Sequence, residues 1–73
     1  MSKLSILDPS GHTELLWRTE DEPATQAARR TFEDLIESER FVAFDLTEEP
    51  ATIIKEFRID AEEILVVPQF AGG

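Results

Sequence analysis

The sequence predicts an α+β roll, in which one long helix packs across a mixed sheet of about four to five strands. Three observations carry this expectation. Short segments with apolar residues at every second position surround a single stretch whose apolar residues fall three or four apart. A turn-forming run, Asp8-Pro9-Ser10-Gly11, separates the first two of those segments. The most hydrophobic run, Ile64-Leu65-Val66-Val67, comes near the end of the chain and reads as a central buried strand.

Lys3 to Asp8 is the first expected strand, with Leu4 and Ile6 on one face and Ser5 between them. Proline presets φ for the second turn position and glycine accepts a positive φ, so the chain reverses into a return strand from Thr13 to Arg18. Leu15 and Trp17 share a face of that strand, while Leu16 points the other way and is expected to cover an end of the core. After a polar break at Thr19 to Glu22, Pro23 is placed as the first helical residue, with Asp21 or Glu22 as N-cap. The helix is expected to run to about Ser38, with Ala24, Ala27, Ala28, Phe32, Leu35 and Ile36 as its apolar stripe. Phe41 to Leu46 alternates as the next strand, and Ala51 to Phe57 is the arm of a second hairpin. Asp60 reads as the cap of one short helical turn, Ala61-Glu62-Glu63, before the last strand, which Pro68 stops. If the last strand lies parallel to the first, both chain ends leave from the middle of the sheet. The expected division is a domain over 1–68 and a tail over 69–73, the tail having too little apolar mass to be held down.

Composition narrows the function classes. A chain of 73 residues has room for one core. A domain this small buries only about 60% of the surface its unfolded chain exposes, which disfavours a deep catalytic cleft. The chain is therefore not expected to be an enzyme, and no cofactor of its own is expected. There is no cysteine, which removes disulfides, thiolate nucleophiles and Cys-based zinc sites. A net charge of -9 repels phosphate backbones and anionic lipid, so neither nucleic acid nor membrane is an expected partner. No apolar run approaches the roughly 20 residues of a membrane span, and the expectation is a cytoplasmic monomer.

The opening hairpin with its Asp8-Pro9-Ser10-Gly11 turn and the ending Glu63 to Gly73, in which an apolar strand and a proline precede Gln69-Phe70-Ala71-Gly72-Gly73, resemble a known family. The chain resembles the ubiquitin-like β-grasp family and its prokaryotic relatives, the sulfur carriers of molybdopterin and thiazole biosynthesis. Ubiquitin's basic tail is absent, and Lys3 and Lys55 are the only lysines, which speaks against chain building through internal lysines. The resemblance implies a protein modifier or sulfur carrier whose Gly73 carboxylate is adenylated by an E1-like adenylating enzyme. It implies further partners: an E2-like or cysteine-bearing transfer enzyme, and a protease that cuts after Gly-Gly. Gly72 and Gly73 would be the conjugation residues. A carboxylate there has a pKa of about 3.3 to 3.7 and is ionised near neutrality, and two residues without Cβ atoms thread a narrow channel. Gln69, Phe70 and Ala71 would meet the partner, with Phe70 as apolar anchor and Ala71 keeping the approach slim.

A rival reading belongs to a different class: an acidic β-grasp interaction module, such as a phage or bacterial assembly or inhibitory factor, with no tail chemistry. His12 has no second histidine or cysteine with which to complete a metal site and reads as a solvated turn residue. The acidic pairs and triplets, Glu20-Asp21-Glu22, Glu48-Glu49 and Glu62-Glu63, lack the spacing of a calcium loop. Arg29 and Arg30 read as surface ion-pair partners, and Trp17 as a core residue.

Overall fold

Leu4 and Ile6 point inward from β1 (Ser2–Asp8), and the Asp8-Pro9-Ser10-Gly11 turn brings β2 (Gly11–Trp17) back beside it, Leu4 opposite Leu15. The computed structural model describes residues 1–69. Gly11 closes this turn at φ 143, a backbone region that side-chain-bearing residues rarely adopt. After the hairpin come α1 (Glu22–Glu37), β3 (Phe41–Asp45), β4 (Thr52–Ile54) and β5 (Glu63–Pro68). The strands form one mixed sheet in the order β2-β1-β5-β3-β4. β1 and β5 are parallel, and the other neighbours are antiparallel. One helix packed across a five-stranded mixed sheet is an α+β architecture, consistent with a β-grasp-like arrangement.

Asp21 starts the helix, its carboxylate accepting from the Ala24 N–H at 3.2 Å. Pro23 is the second helical residue rather than the first, because the cap sits one position before Glu22. Ala28 and Phe32 are buried, and Ala24, Leu35 and Ile36 pack against the core at its margin. Ala27, expected in the stripe, is exposed, whereas Thr25 is buried with its hydroxyl donating to the Arg18 carbonyl at 3.1 Å. That bond satisfies a polar group which would otherwise oppose burial. At the far end Glu39 adopts φ 60 just beyond the cap residue Ser38. This left-handed position usually belongs to glycine.

The core lies between the helix and the inward face of the sheet. Trp17, Phe32, Leu4, Ile64 and Val66 are its largest fully buried side chains. Burying each stabilises the fold by about 1.5–3 kcal/mol. Phe57, in the β4–β5 connection, closes one side: its ring lies 5.1 Å from Trp17 and 5.9 Å from Phe32. The Trp17 indole N–H donates to the Ile59 carbonyl at 3.0 Å, which ties that connection to the end of β2.

Four further expectations need correction. Leu16 covers no part of the core; it is 53% exposed on the outward face, because the alternation that buries Leu15 and Trp17 turns it outward. The second hairpin arm shrinks to Thr52–Ile54, since β4 is an edge strand with one partner. No helical turn forms at Ala61-Glu62-Glu63: Glu63 already pairs with Lys3, and the Glu62 N–H donates to the Thr47 hydroxyl. Arg29 lies over the Phe57 ring at 5.4 Å, and neither it nor Arg30 forms an ion pair among the described residues. A guanidinium over an aromatic face gains about 0.5–1 kcal/mol at an exposed site, comparable with a surface ion pair.

Replacing Glu39 by glycine removes the left-handed strain and a negative charge at the negative end of the helix dipole. The expected gain is about 1 kcal/mol, read as a higher urea midpoint. Phe32→Ala opens a cavity at the centre and is expected to cost about 3–5 kcal/mol, most of the stability a small domain has.

Candidate functional site

The parallel pairing of β1 with β5 sends the chain out of the middle of the sheet, at the end where the β1–β2 turn and the start of β3 also lie. Pro68, expected to stop the strand, is its last residue and pairs with Phe41. Phe41 and Pro68 form a non-hydrogen-bonded pair of the antiparallel ladder, so the missing proline N–H interrupts nothing on this side, and the next rung is the Gln69 N–H donating to the Arg40 carbonyl at 2.7 Å. Gln69 is therefore tied to the segment joining α1 to β3 while remaining exposed. Of the residues the sequence nominated for partner contact and conjugation, Gln69 alone belongs to the described part. Phe70, Ala71, Gly72 and Gly73 lie outside it.

Beside this exit the helix end and the β3–β4 edge leave an apolar groove of about 450 Å³. Its walls are Ile36, Phe41, Ile53 and Ile54, with Glu39, Lys55 and Gln69 as its polar members. Charges of both signs thus stand round the exit. In the β1–β2 turn, Asp8 accepts from the Ser10 hydroxyl and from the Ser10 N–H at 2.7 Å. The hydroxyl bond first, then the backbone bonds, holds the Asp8 carboxyl below its ordinary value.

The larger cleft, about 630 Å³, lies at the opposite end of the sheet, where β3 ends and β4 and β5 begin. It is polar, with Asp45, Thr47, Glu48, Glu49, Arg58 and Asp60 among its lining residues. Asp45 is buried, yet it accepts from the Thr47 N–H at 2.9 Å and from Arg58 Nη1 at 3.2 Å. Burial alone would push its carboxyl up; the bonds from Thr47, and after them the Arg58 guanidinium, outweigh burial and hold it below the usual carboxylate value. Thr47 in turn accepts from the Glu62 N–H at 2.9 Å, and the Leu46 N–H donates to the Glu63 carbonyl at 2.9 Å. This network fastens the entrance of β5 to the end of β3. Its geometry is that of a structural clamp, with the acid and the base already committed to each other.

Sequence reasoning did not single out Arg40, the groove or the Asp45 clamp. Asp45 carried a signal, since it falls two residues after Ala43 on the inward side of β3, where an apolar residue is the rule. The groove carried none, because its walls come from the helix end and from two strands. His12 is exposed, with Nε2 3.5 Å from Glu14 Oε2. Among the described residues no group of three or more His, Cys, Asp or Glu side chains is arranged to hold a metal ion.

No protein-family model, no curated protein and no solved structure matches this chain.

The lowered Asp45 carboxyl makes a signed prediction. A group whose folded pKa lies below its unfolded value of about 3.9 contributes stability above that value and loses it as the pH falls through the folded one. Between about pH 5 and pH 2, the parent protein is expected to lose more stability than an Asp45→Asn variant, which starts less stable at pH 7. Urea midpoints at several pH values check this, and equal acid slopes would remove Asp45 from the account.

Proposed function

We propose that this chain is a ubiquitin-like protein modifier or sulfur carrier that acts through a carboxylate at Gly73. The observation that supports the reading most is the conjunction of a β-grasp-like body with a central last strand directed out of the sheet towards a Gly72-Gly73 ending. The reading holds whether Gly73 is the encoded end or becomes one by cleavage. An E1-like adenylating enzyme would supply ATP. The Gly73 carboxylate oxygen attacks the α-phosphorus, pyrophosphate leaves, and an acyl-adenylate remains. A thiolate of the enzyme partner then displaces AMP to give a thioester, from which an amine takes the acyl group and releases the thiol. In the sulfur-carrier branch a sulfide equivalent displaces AMP and leaves a thiocarboxylate. In both branches this chain is the carried group, and the catalytic side chains belong to the partner.

Gln69, held by Arg40, would set the point from which the last four residues reach an enzyme channel, and the neighbouring groove offers an apolar contact beside it. A second reading, the acidic interaction module, draws support from the sheet face that the helix leaves uncovered, with Ile53 62% and Leu16 53% exposed. One experiment separates the two. The purified chain is incubated with ATP and an adenylating enzyme encoded beside its gene, and intact mass is read for an adenylate, thiocarboxylate or conjugate. Deleting Gly72 and Gly73 is expected to abolish that product and leave the circular dichroism spectrum unchanged. Absence of any product from the full chain, with partner binding unaffected by the deletion, would sink the carrier reading in favour of the module.

A further inference from the structure

The helix covers one face of the sheet, and among the described residues no element covers the opposite face. A row crosses it from edge to edge: Glu14, Ser5, Leu65, Phe44 and Ile53, each paired with the next across the strands. The adjoining row holds His12 and Leu7 on one side, and Val67 and Val42 on the other. Leu7, Leu16 and Ile53 are 40%, 53% and 62% exposed, and Val42, Phe44, Leu65 and Val67 are half-buried. A connected apolar surface of this kind on a small soluble domain marks an interaction site.

Charge selects the occupant. The chain carries a net -9, yet the outward strand residues contribute only Lys3, Glu14 and Glu63, and Lys3 Nζ lies 3.7 Å from a carboxylate oxygen of each glutamate. The strands themselves therefore add a net charge of only -1 to this face. It is the side on which another strongly acidic protein approaches against the least repulsion. The face is also self-complementary about β5. A two-fold axis running along β5 carries β4 of one copy over β2 of the other, as an isologous interface requires. Leu65 and Val67 then meet their own counterparts, Val42 meets Leu7, and Phe44 passes over Ser5, which its own neighbours already bury. Ile53 covers the stem of Glu14. Lys55, directly after β4 and without an ion pair among the described residues, comes within reach of the same carboxylate.

From this geometry we infer that the open face is an interface between two copies of the chain, packed sheet on sheet about 10 Å apart. This departs from the sequence-based expectation of a monomer, and it is independent of the tail chemistry. Two chains of net -9 repel each other, so the dimer is weak. Screening lifts the mutual repulsion of two acidic bodies, so it strengthens with salt.

Sedimentation and light scattering on the full chain test this. The mass is expected to rise from 8.3 kDa towards double that value. The rise falls between about 10 µM and 1 mM, and moves to lower concentration when salt is raised from about 20 mM to 500 mM. Ile53→Glu, at an exposed position that folding does not need, sets a second carboxylate against Glu14 and is expected to weaken association at least tenfold. Adding Glu14→Lys to it restores association. Circular dichroism confirms that each variant is folded, and the unsubstituted chain decides the matter alone if one is not. A constant monomer mass, an Ile53→Glu variant that associates as before, or a double variant no better than the single one would each overturn the inference.

Discussion

Everything in this fold depends on the parallel register between its first and last strands. Leu4 beside Ile64 and Ile6 beside Val66 place four buried aliphatic side chains at the centre of the inward face. Parallel neighbours cannot be joined by a tight turn, so the intervening chain must leave the sheet, cross it and return. Here the crossing supplies α1, β3 and β4, and β5 then enters between β1 and β3. The core is complete only when this last segment docks, since Ile64 and Val66 stand in the middle of the layer that Phe32 covers. The same register fixes where the chain leaves the body. Stability and the position of the exit are consequences of one pairing.

A single helix over five strands covers one side only, and among the described residues no second layer covers the other. Aromatic residues make the covered side dense: Trp17, Phe32 and Phe57 join the end of β2, the middle of the helix and the β4–β5 connection. The buried polar groups are spent on the same task. Thr25 holds Arg18, the Trp17 indole holds Ile59, and Asp45 holds Thr47 and Arg58. Every buried side-chain nitrogen or oxygen among the described residues has a partner, which is the rule for groups that cannot reach water. These groups are committed to holding the fold, which leaves the open sheet face and the end where Gln69 emerges for the contacts proposed above.

Local pattern made much of this legible. Period-two alternation located β1, β2 and β3, the three-four spacing located α1, and the run from Ile64 to Val67 identified the central strand. What the sequence hid was set by partners distant along the chain. Ala61 and Glu62 look like the start of a helical turn, yet Ala61 is buried and the Glu62 N–H is claimed by Thr47, fifteen residues earlier. Arg29 and Arg30 look like half of a set of surface ion pairs, but Phe57 is brought under Arg29 by the β4–β5 connection. Period-two alternation already set Leu16 opposite Leu15 and Trp17; what it did not show is that, among the described residues, no core lies on that face.

The same distinction explains why the exit was only half visible. Gln69 stood out through its place after the strand-ending proline, a local feature, whereas the bond that holds it comes from the backbone carbonyl of Arg40. A main-chain bond leaves no side-chain signature, because any residue at position 40 offers the same oxygen. In the proposed reading the reacting group at Gly73 is likewise a main-chain carboxylate. A carrier built in this way asks its body for a firm strand, a fixed point of departure and an open approach, all of which come from backbone geometry. The side chains are then left to build the core and to shape the surfaces that partners meet.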